Sequence, residues 1–193
     1  MNDILPNEDL MREHGLINRM LLIYEHIIKV YECTLELDKK NLYKVANLIR
    51  EFDENYHQKM EEKYIFPYVK IYYPKEIEQL IIQHYYTRKI TDEILENIDI
   101  SKSIPRIINL MKTYYYMYIK HEAVEDTVIY QKFKEMLSYK EYIKIGHKLE
   151  NEEEKMFGFN GFNKILNRVE LIEKELDIYS LEKLTDEVIK RIN

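Results

Sequence analysis

The chain has 193 residues, 46% of them hydrophobic, a size and composition that suit one domain with a buried core. A net charge of −6, with acids and bases interleaved, argues against the basic face that a nucleic-acid partner would require. No stretch approaches the roughly 20 apolar residues of a membrane span, and no signal-like segment opens the chain. Cys33 is the single cysteine, which excludes an intramolecular disulfide, and we expect a cytoplasmic protein with no membrane partner.

Helix is the predicted conformation of nearly the whole chain, because only four glycines and four prolines occur and apolar residues recur every three or four positions. The predicted fold class is therefore all-α. The first helix should run from about residue 8, capped by Asn7, to about residue 37. A second helix follows the polar turn at residues 37–41 and continues toward Pro67, which would kink or end it.

The third helix should open at Pro74 and bury Ile81 on its inner face. The fourth should be capped by Ser103, hold Pro105 in its first turn and bury Val124.

Short connections make neighbouring helices antiparallel. We therefore predict an up-down-up-down four-helix bundle in residues 1–137. Residues 138–193 are predicted to be a helical C-terminal extension that packs on the bundle or serves a partner.

Two ten-residue stretches repeat one pattern: HQKMEEKYIF begins at His57, and HEAVEDTVIY begins at His121. Each has a glutamate four residues after the histidine, Glu61 in the first stretch and Glu125 in the second. Residues at positions i and i+4 of a helix point to the same side, so each pair forms a two-ligand clamp. One such pair is a weak signal, because chance matches are common in a glutamate-rich chain.

The predicted heights of the polar residues along the bundle give a stronger signal. His14 on the first helix and His84 on the third join Glu61 and Glu125 in a layer about 10 Å deep. Each interrupts an apolar stripe, where an unpaired imidazole or carboxylate would cost several kcal/mol. A pair of cations would satisfy them; the alternative is a plain bundle in which neighbouring glutamates satisfy core histidines. Imidazole and carboxylate donors without sulfur suit iron or manganese, and zinc fits the same donors.

The same residues resemble those of the hemerythrin-like proteins with an HHE cation-binding domain. The similarity covers about residues 8–137 and rests on REHGLINRML around His14, on the two repeated stretches, and on QHYYTRKI around His84. It implies a non-heme di-iron centre of two iron ions with an oxo or hydroxo bridge. The metal ligands that it implies, the histidines terminal and the glutamates bridging, are His14, His57, Glu61, His84, His121 and Glu125.

Two departures from the oxygen-carrying hemerythrins bear on function. Those carriers have a second histidine four residues after the first on the third helix, where this chain has Arg88. Their fourth-helix carboxylate is an aspartate five residues after the histidine; here Asp126 has that position, but Glu125 completes the helical clamp. Fewer nitrogen donors should leave the irons more reactive, which disfavours a simple reversible carrier. The related iron–sulfur repair proteins often bear an N-terminal cysteine-containing segment, which this chain is expected to lack.

Three functions stay open at this point. The first is a protein that binds or senses dioxygen, nitric oxide or peroxide. The second is a di-iron oxidoreductase acting on peroxide, nitric oxide or ferrous iron, and the third is iron handling or iron–sulfur repair. The partners that these functions involve are a small ligand, an electron-donor protein and a second copy of the chain.

Other polar residues near the motifs have lesser expected roles. Glu62, Glu122 and Asp126 adjoin ligands in sequence and are expected to be solvated or to lie behind the ligands. Tyr114 and Tyr118, about two turns and one turn before His121, either present a phenol to the centre or fill the core, the more ordinary role in a chain with 18 tyrosines.

Overall fold

Helices make up almost all of the computed structural model, which describes residues 5–192. No strand occurs in that range, which confirms the all-α prediction. Residues 1–4 and 193 of the two predicted domains lie outside it. Within the described range, no helix combines the length and the apolar character needed to cross a membrane.

Four long helical segments account for most of the chain up to residue 136. Segment I is α1 (Pro6–Thr34), and segment III is α5 (Pro74–Asn97). Segment II, residues 39–69, is continuous and consists of α2 (Lys39–Leu48), a π-helical stretch (Ile49–His57), α3 (Gln58–Met60), a second π-helical stretch (Glu61–Ile65) and α4 (Phe66–Val69). Segment IV, residues 104–136, follows a 3₁₀ turn (Ser101–Ser103) and consists of α6 (Ile104–Val124), a π-helical stretch (Glu125–Ile129) and α7 (Tyr130–Met136).

The four segments enclose one core. Segment I contacts segments II and IV, and segment III likewise contacts segments II and IV. The core is apolar and rich in aromatic rings, and such rings contribute a large share of burial energy because each removes a large area from water. Its largest fully buried aromatic side chains are Tyr24, Tyr56, Tyr114, Tyr118, Tyr130, Phe52, Phe66 and Phe133.

Prolines and caps set several helix starts. Pro74 opens α5 as predicted, and Pro105 lies in the first turn of α6, where a missing N–H costs nothing. The Asp38 side chain caps α2 by accepting a hydrogen bond from the Asn41 N–H, at 3.0 Å. Pro67 lies in the first turn of α4, and the helix ends two residues after it.

One predicted cap is wrong, and a second has the predicted position without the capping bond. Leu5 holds the N-cap position of α1, and Asn7 lies inside the helix, where its amide donates to the Tyr130 carbonyl at 2.7 Å. Ser103 holds the N-cap position of α6, as predicted, but makes no side-chain capping bond. The first helix also ends earlier than predicted, at Thr34, because Leu35 has a left-handed backbone conformation with φ 58°.

Two residues predicted to be buried are largely exposed. Ile81 is 39% exposed and Val124 37% exposed. On α5 the buried stripe includes His84 as predicted, but Leu80 is buried in place of Ile81. Val124 is the last residue of α6, and the buried stripe there passes from His121 to Glu125, four residues on, rather than to Val124, three residues on.

The C-terminal part adds three helices: α8 (Tyr139–Phe157), α9 (Gly161–Glu175) and α10 (Leu181–Ile192). A capping box between Ser138 and Glu141 starts α8. α8 packs against segment I, and α9 packs against segments I and II. Their buried apolar residues belong to the same core as the four segments.

Candidate metal centre

All six predicted ligands lie together at the middle of the core, and each is at most 2% exposed. Segment I supplies His14, segment II supplies His57 and Glu61, segment III supplies His84, and segment IV supplies His121 and Glu125. Donor atoms of Glu61, His84, His121 and Glu125 lie within 4.8 Å of one another, as do those of His14, His57 and Glu61. These are groups that could hold a metal ion, with Glu61 shared between them.

Each glutamate begins a π-helical stretch, Glu61–Ile65 in segment II and Glu125–Ile129 in segment IV. A π-helical turn contains more residues than an α-helical turn and is frequent at functional sites. The wider turn lets the glutamate and an aromatic residue five positions later, Phe66 or Tyr130, both remain buried in the core.

Each histidine is held from behind by a partner on its Nδ1 atom. His14 Nδ1 lies 2.8 Å from Asp126 Oδ1, and His57 Nδ1 lies 2.7 Å from Glu13 Oε2. When the imidazoles are neutral, these acceptors hold the proton on Nδ1 and leave the Nε2 lone pair free, the arrangement that metal-bound histidines use.

The other two rings have the same arrangement. His84 Nδ1 lies 3.0 Å from Glu62 Oε1, and His121 Nδ1 lies 2.8 Å from Gln83 Oε1. Glu62 is itself bonded by Arg88, whose Nη2 donates to Oε1 at 2.7 Å. Arg88 therefore positions a partner of His84.

All four Nε2 atoms face the two carboxylates. His84 Nε2 is 3.4 Å from Glu61 Oε2, and His121 Nε2 is 3.0 Å from Glu125 Oε1. The Nε2 atoms of His84 and His121 are only 3.1 Å apart. In the neutral rings the proton lies on Nδ1, so both Nε2 atoms carry a lone pair and the two lone pairs repel each other. A cation bound to both Nε2 atoms would replace this repulsion by attraction.

Several inward atoms have no hydrogen-bond partner. Those at the centre are His57 Nε2, Glu61 Oε2 and both carboxylate oxygens of Glu125. Buried polar atoms are nearly always satisfied, and an unpaired buried carboxylate costs several kcal/mol. The donor set and its unpaired atoms therefore fit a pair of cations.

Among the protein groups alone, charge is unevenly distributed. Burial would lower the pKa of His57, but Glu61 and Glu13 outweigh it and raise the pKa to about 10. Burial would raise the pKa of Glu61, but His57 and His84 lower it. Burial and the neighbouring Glu61 both raise the pKa of Glu125. The Glu61 carboxylate is thus ionised and paired with the histidines, whereas ionisation of the Glu125 carboxylate is costly.

The two repeated stretches occupy corresponding places around the centre. Glu62 and Asp126, each five residues after a repeat histidine, accept from His84 and His14 respectively. The last residues of the stretches also correspond, because Phe66 stacks on His84 at 5.5 Å and Tyr130 stacks on His14 at 5.5 Å.

Sequence reasoning missed three residues of this arrangement. Glu13 and Gln83, the residues before His14 and His84, each accept from a histidine of a repeat. Tyr130 donates its hydroxyl hydrogen to Glu61 Oε1 at 2.6 Å, and that hydroxyl lies 3.3 Å from His14 Nε2. Tyr130 ends the second repeated stretch at the position where Phe66 ends the first, and this difference was the signal available in the sequence.

Tyr114 and Tyr118 do not direct their hydroxyls at the ligands. Both donate to the fully buried Asp53, Tyr114 at 2.6 Å. Gln58 also donates to Asp53, at 3.2 Å. The ring of Tyr118 stacks on His121 with centroids 5.1 Å apart. These tyrosines form a polar layer beside the centre and support the His121 ring.

Glu122 is buried rather than solvated and accepts a hydrogen bond from Asn18 at 2.5 Å. A surface cavity of about 280 Å³ reaches His121 and is bordered by Gln83, Leu80 and Val124. The exposed Val124 thus lines an approach to the centre.

A third group of side chains that could hold a metal ion lies outside the centre and consists of Asp9, Glu13 and Glu153. Asp9 is bonded by Arg12, and Glu13 is already bonded to His57 and Tyr56. These partners account for the group without a cation.

Comparison with known proteins gives relatives but no assigned function. No protein-family model matches the chain, and no solved structure matches it. The uncharacterized proteins Rv1995 of Mycobacterium tuberculosis and Mb2018 of Mycobacterium bovis are each 33% identical to it over 187 residues. The alignment covers 92% of this chain and 72% of each relative. The chain therefore belongs to the same family as these mycobacterial proteins.

Proposed function

We propose that this chain is a hemerythrin-like protein that holds a non-heme di-iron centre and binds dioxygen or a related small ligand such as nitric oxide or peroxide. In this proposal the four segments form an up-down-up-down bundle. The four histidines are terminal ligands, and Glu61 and Glu125 bridge. The proposal includes a cytoplasmic location, which the single cysteine, Cys33, suits.

The main support is the inward face of the centre. Four buried imidazoles, each held from behind, direct Nε2 at two buried carboxylates whose inward oxygens lack hydrogen bonds. Building such a site without cations would lower stability, because one carboxylate and several lone pairs are left unsatisfied. A plain core of histidines and glutamates would need partners for these atoms.

Two bound irons would supply redox chemistry and open positions for a small ligand. The residues of this chain do the remaining work. Glu13, Gln83, Glu62 and Asp126 orient the imidazoles, and the apolar core around them excludes water. Tyr130 presents a hydroxyl group beside His14 and Glu61.

The first test is elemental analysis of protein purified without added metal. We expect about two irons per chain, with an ultraviolet-to-visible charge-transfer band. Glu61→Ala and His121→Ala should lose both irons and the band, whereas His147→Ala, at a half-exposed position in α8, should keep them. Full metal retention in Glu61→Ala or His121→Ala would contradict the ligand assignment.

The second candidate is an oxidoreductase at the same centre, acting on peroxide, nitric oxide or ferrous iron. Arg88 favours it, because this residue bonds Glu62 and adds no nitrogen donor to the centre. Stopped-flow spectra of the reduced protein with oxygen, peroxide and nitric oxide separate the functions. A stable, reversible adduct favours binding, multiple turnovers favour catalysis, and release of metal favours iron handling.

A further inference from the structure

Three fully buried side chains, Asp53, Tyr114 and Tyr118, form the polar layer beside the centre. None of them is a proposed metal ligand, and polar groups in an apolar core are costly unless they bond one another. The role inferred for this layer rests on the proposed function, because the layer exchanges electrons with the loaded centre.

The two tyrosine rings form a stack that begins at a proposed ligand. The Tyr118 ring stacks on the His121 ring, with centroids 5.1 Å apart and planes inclined by 28°. Tyr114 stacks on Tyr118 in turn, at 5.6 Å and 17°. Aromatic rings in van der Waals contact exchange electrons rapidly. An electron can therefore pass from Tyr118 to the centre through a single imidazole.

A proton acceptor is already bonded to each of these phenols. Tyr118 donates its hydroxyl hydrogen to Asp53 Oδ1, and Tyr114 donates to Asp53 Oδ2 at 2.6 Å. Oδ2 also accepts from Gln58 at 3.2 Å, so Oδ1 is the less saturated oxygen. A phenol that loses an electron becomes a strong acid and must release its proton. Transfer of the Tyr118 proton to Oδ1 would also remove a negative charge from the core, where such a charge is costly.

Two other buried tyrosines near the centre lack a comparable acceptor. Tyr130 donates to Glu61 at 2.6 Å, but Glu61 is a proposed bridging ligand, whose negative charge cations would share. The Tyr24 ring lies 6.0 Å from the Tyr114 ring, and its buried hydroxyl has no hydrogen-bond partner. Oxidation of either phenol would leave its proton without a strong base. These contacts single out Tyr118 as the phenol that is most easily oxidised.

Peroxide, one of the proposed small ligands, takes up two electrons and two protons as its O–O bond breaks and two water molecules form. A centre with one ferrous and one ferric ion supplies one of these electrons, by oxidation of the ferrous ion. We propose that Tyr118 is redox-active and supplies the second electron. Tyr118 loses this electron through the His121 ring and its phenolic proton to Asp53, and solvent supplies the two protons that peroxide takes up. The step leaves a neutral tyrosine radical and a protonated Asp53 beside two ferric ions.

Electron paramagnetic resonance tests this role. Protein that holds two irons is reduced by one electron per chain, mixed with peroxide and frozen. The unmodified protein should give a tyrosine radical signal, which narrows when the tyrosine rings are deuterated, and Tyr118→Phe should lose most of it. Phenylalanine keeps a ring against His121, so the iron content and the helix content of this variant should not change. Asp53→Asn preserves the shape of the side chain but cannot take the proton, so it should also lose most of the signal.

Tyr24→Phe, which removes a buried hydroxyl next to the same stack, is the matched control and should keep the radical. Full radical yield in Tyr118→Phe overturns the role of Tyr118, as does loss of the signal in a Tyr130→Phe protein that holds two irons. Full yield in Asp53→Asn refutes the proton transfer to Asp53. Unmodified protein that holds two irons and gives no tyrosine radical refutes the redox role alone, whereas protein that binds no iron refutes the proposed function.

Discussion

At the residue scale, the sequence pointed to the six candidate ligands and to Glu62 and Asp126 beside them, but not to the two other supports, Glu13 and Gln83. The six candidate ligands interrupt apolar stripes, so they can be recognised in the sequence once its helical periodicity is known. Glu13 and Gln83 break no stripe, and each bonds a histidine on another segment. That pairing depends on how far one helix is shifted along another, which the spacing within one helix does not determine. The same limit applies to Tyr130, whose hydroxyl meets Glu61 across two segments.

The crowded carboxylates lead to a prediction about protein stripped of metal. Burial and Glu61 raise the pKa of Glu125 above its usual value. Above that usual value the unfolded chain ionises Glu125 while the folded chain keeps it protonated, so this group makes stability fall as pH rises. Glutamine mimics the protonated form. Glu125→Gln should therefore raise the free energy of unfolding by on the order of 1 kcal/mol at about pH 7.5 and by little at about pH 5.

Urea unfolding of the stripped proteins at the two pH values measures this effect. Glu150→Gln in α8 changes an exposed carboxylate and serves as the control. Equal effects of the two substitutions at neutral pH would contradict the prediction. The loaded Glu125→Gln protein should show the opposite result, a lower stability, because a bridging ligand has been removed.

At the element scale, helix content and most starts followed from the sequence, but the π-helical stretches did not. Pro74 and Pro105 mark helix starts through their missing N–H groups. A π-helical turn has no comparable residue signature, because its extra residue is stabilised by the tertiary site that it serves. The error at Val124 has another cause, because this residue still belongs to α6 and the buried stripe advances four residues from His121 to Glu125 where three were predicted.

The junction of α8 and α9 leads to a second prediction. A Cβ atom added at Gly161 would lie 2.6 Å from Phe157 Cβ and 3.0 Å from Glu153 Oε1. Gly161→Ala should therefore force these helices apart and lower the free energy of unfolding by about 1–3 kcal/mol.

Gly15 is the matched control for this change. It lies on the exposed face of α1, and a Cβ there meets nothing within 4 Å. Gly15→Ala should stabilise the protein by roughly 0.5–1 kcal/mol, because alanine loses less backbone freedom in a helix. Chemical denaturation of both variants decides the matter, and a destabilised Gly15→Ala protein or an unaffected Gly161→Ala protein would contradict the packing described.

At the scale of the whole molecule, the buried apolar residues of α8 and α9 belong to the core of the four segments. The C-terminal part therefore packs on the four segments. Arg19 of α1 reaches across to Glu173 of α9, with Nε 2.9 Å from Oε1. The sequence predicted helices here and contact with the bundle. It did not predict which segments they would cover, because an amphipathic helix does not specify its partner.

Bound metal should stabilise the whole protein. Cations that bind only the folded chain add about 2.7 kcal/mol at one hundred times the dissociation constant. Removing metal with a chelator should therefore lower the midpoint of thermal unfolding, and adding ferrous iron should restore it. Glu61→Ala should unfold at the same temperature with or without chelator. A chelator that leaves the midpoint of the unmodified protein unchanged would contradict a shared metal centre.

The correspondence between the two halves of the centre has a consequence for how such a protein arises. Residues 1–69 and residues 74–136 each contribute one histidine preceded by Glu or Gln, one histidine–glutamate clamp, one acid behind a ring and one aromatic lid. A peptide of roughly a third of the present length, folded as a hairpin of two helices, already holds every type of group that the centre uses. Two identical hairpins would suffice to build a symmetric centre, and the present chain departs from that symmetry where Tyr130 has a phenol and Phe66 a benzyl ring.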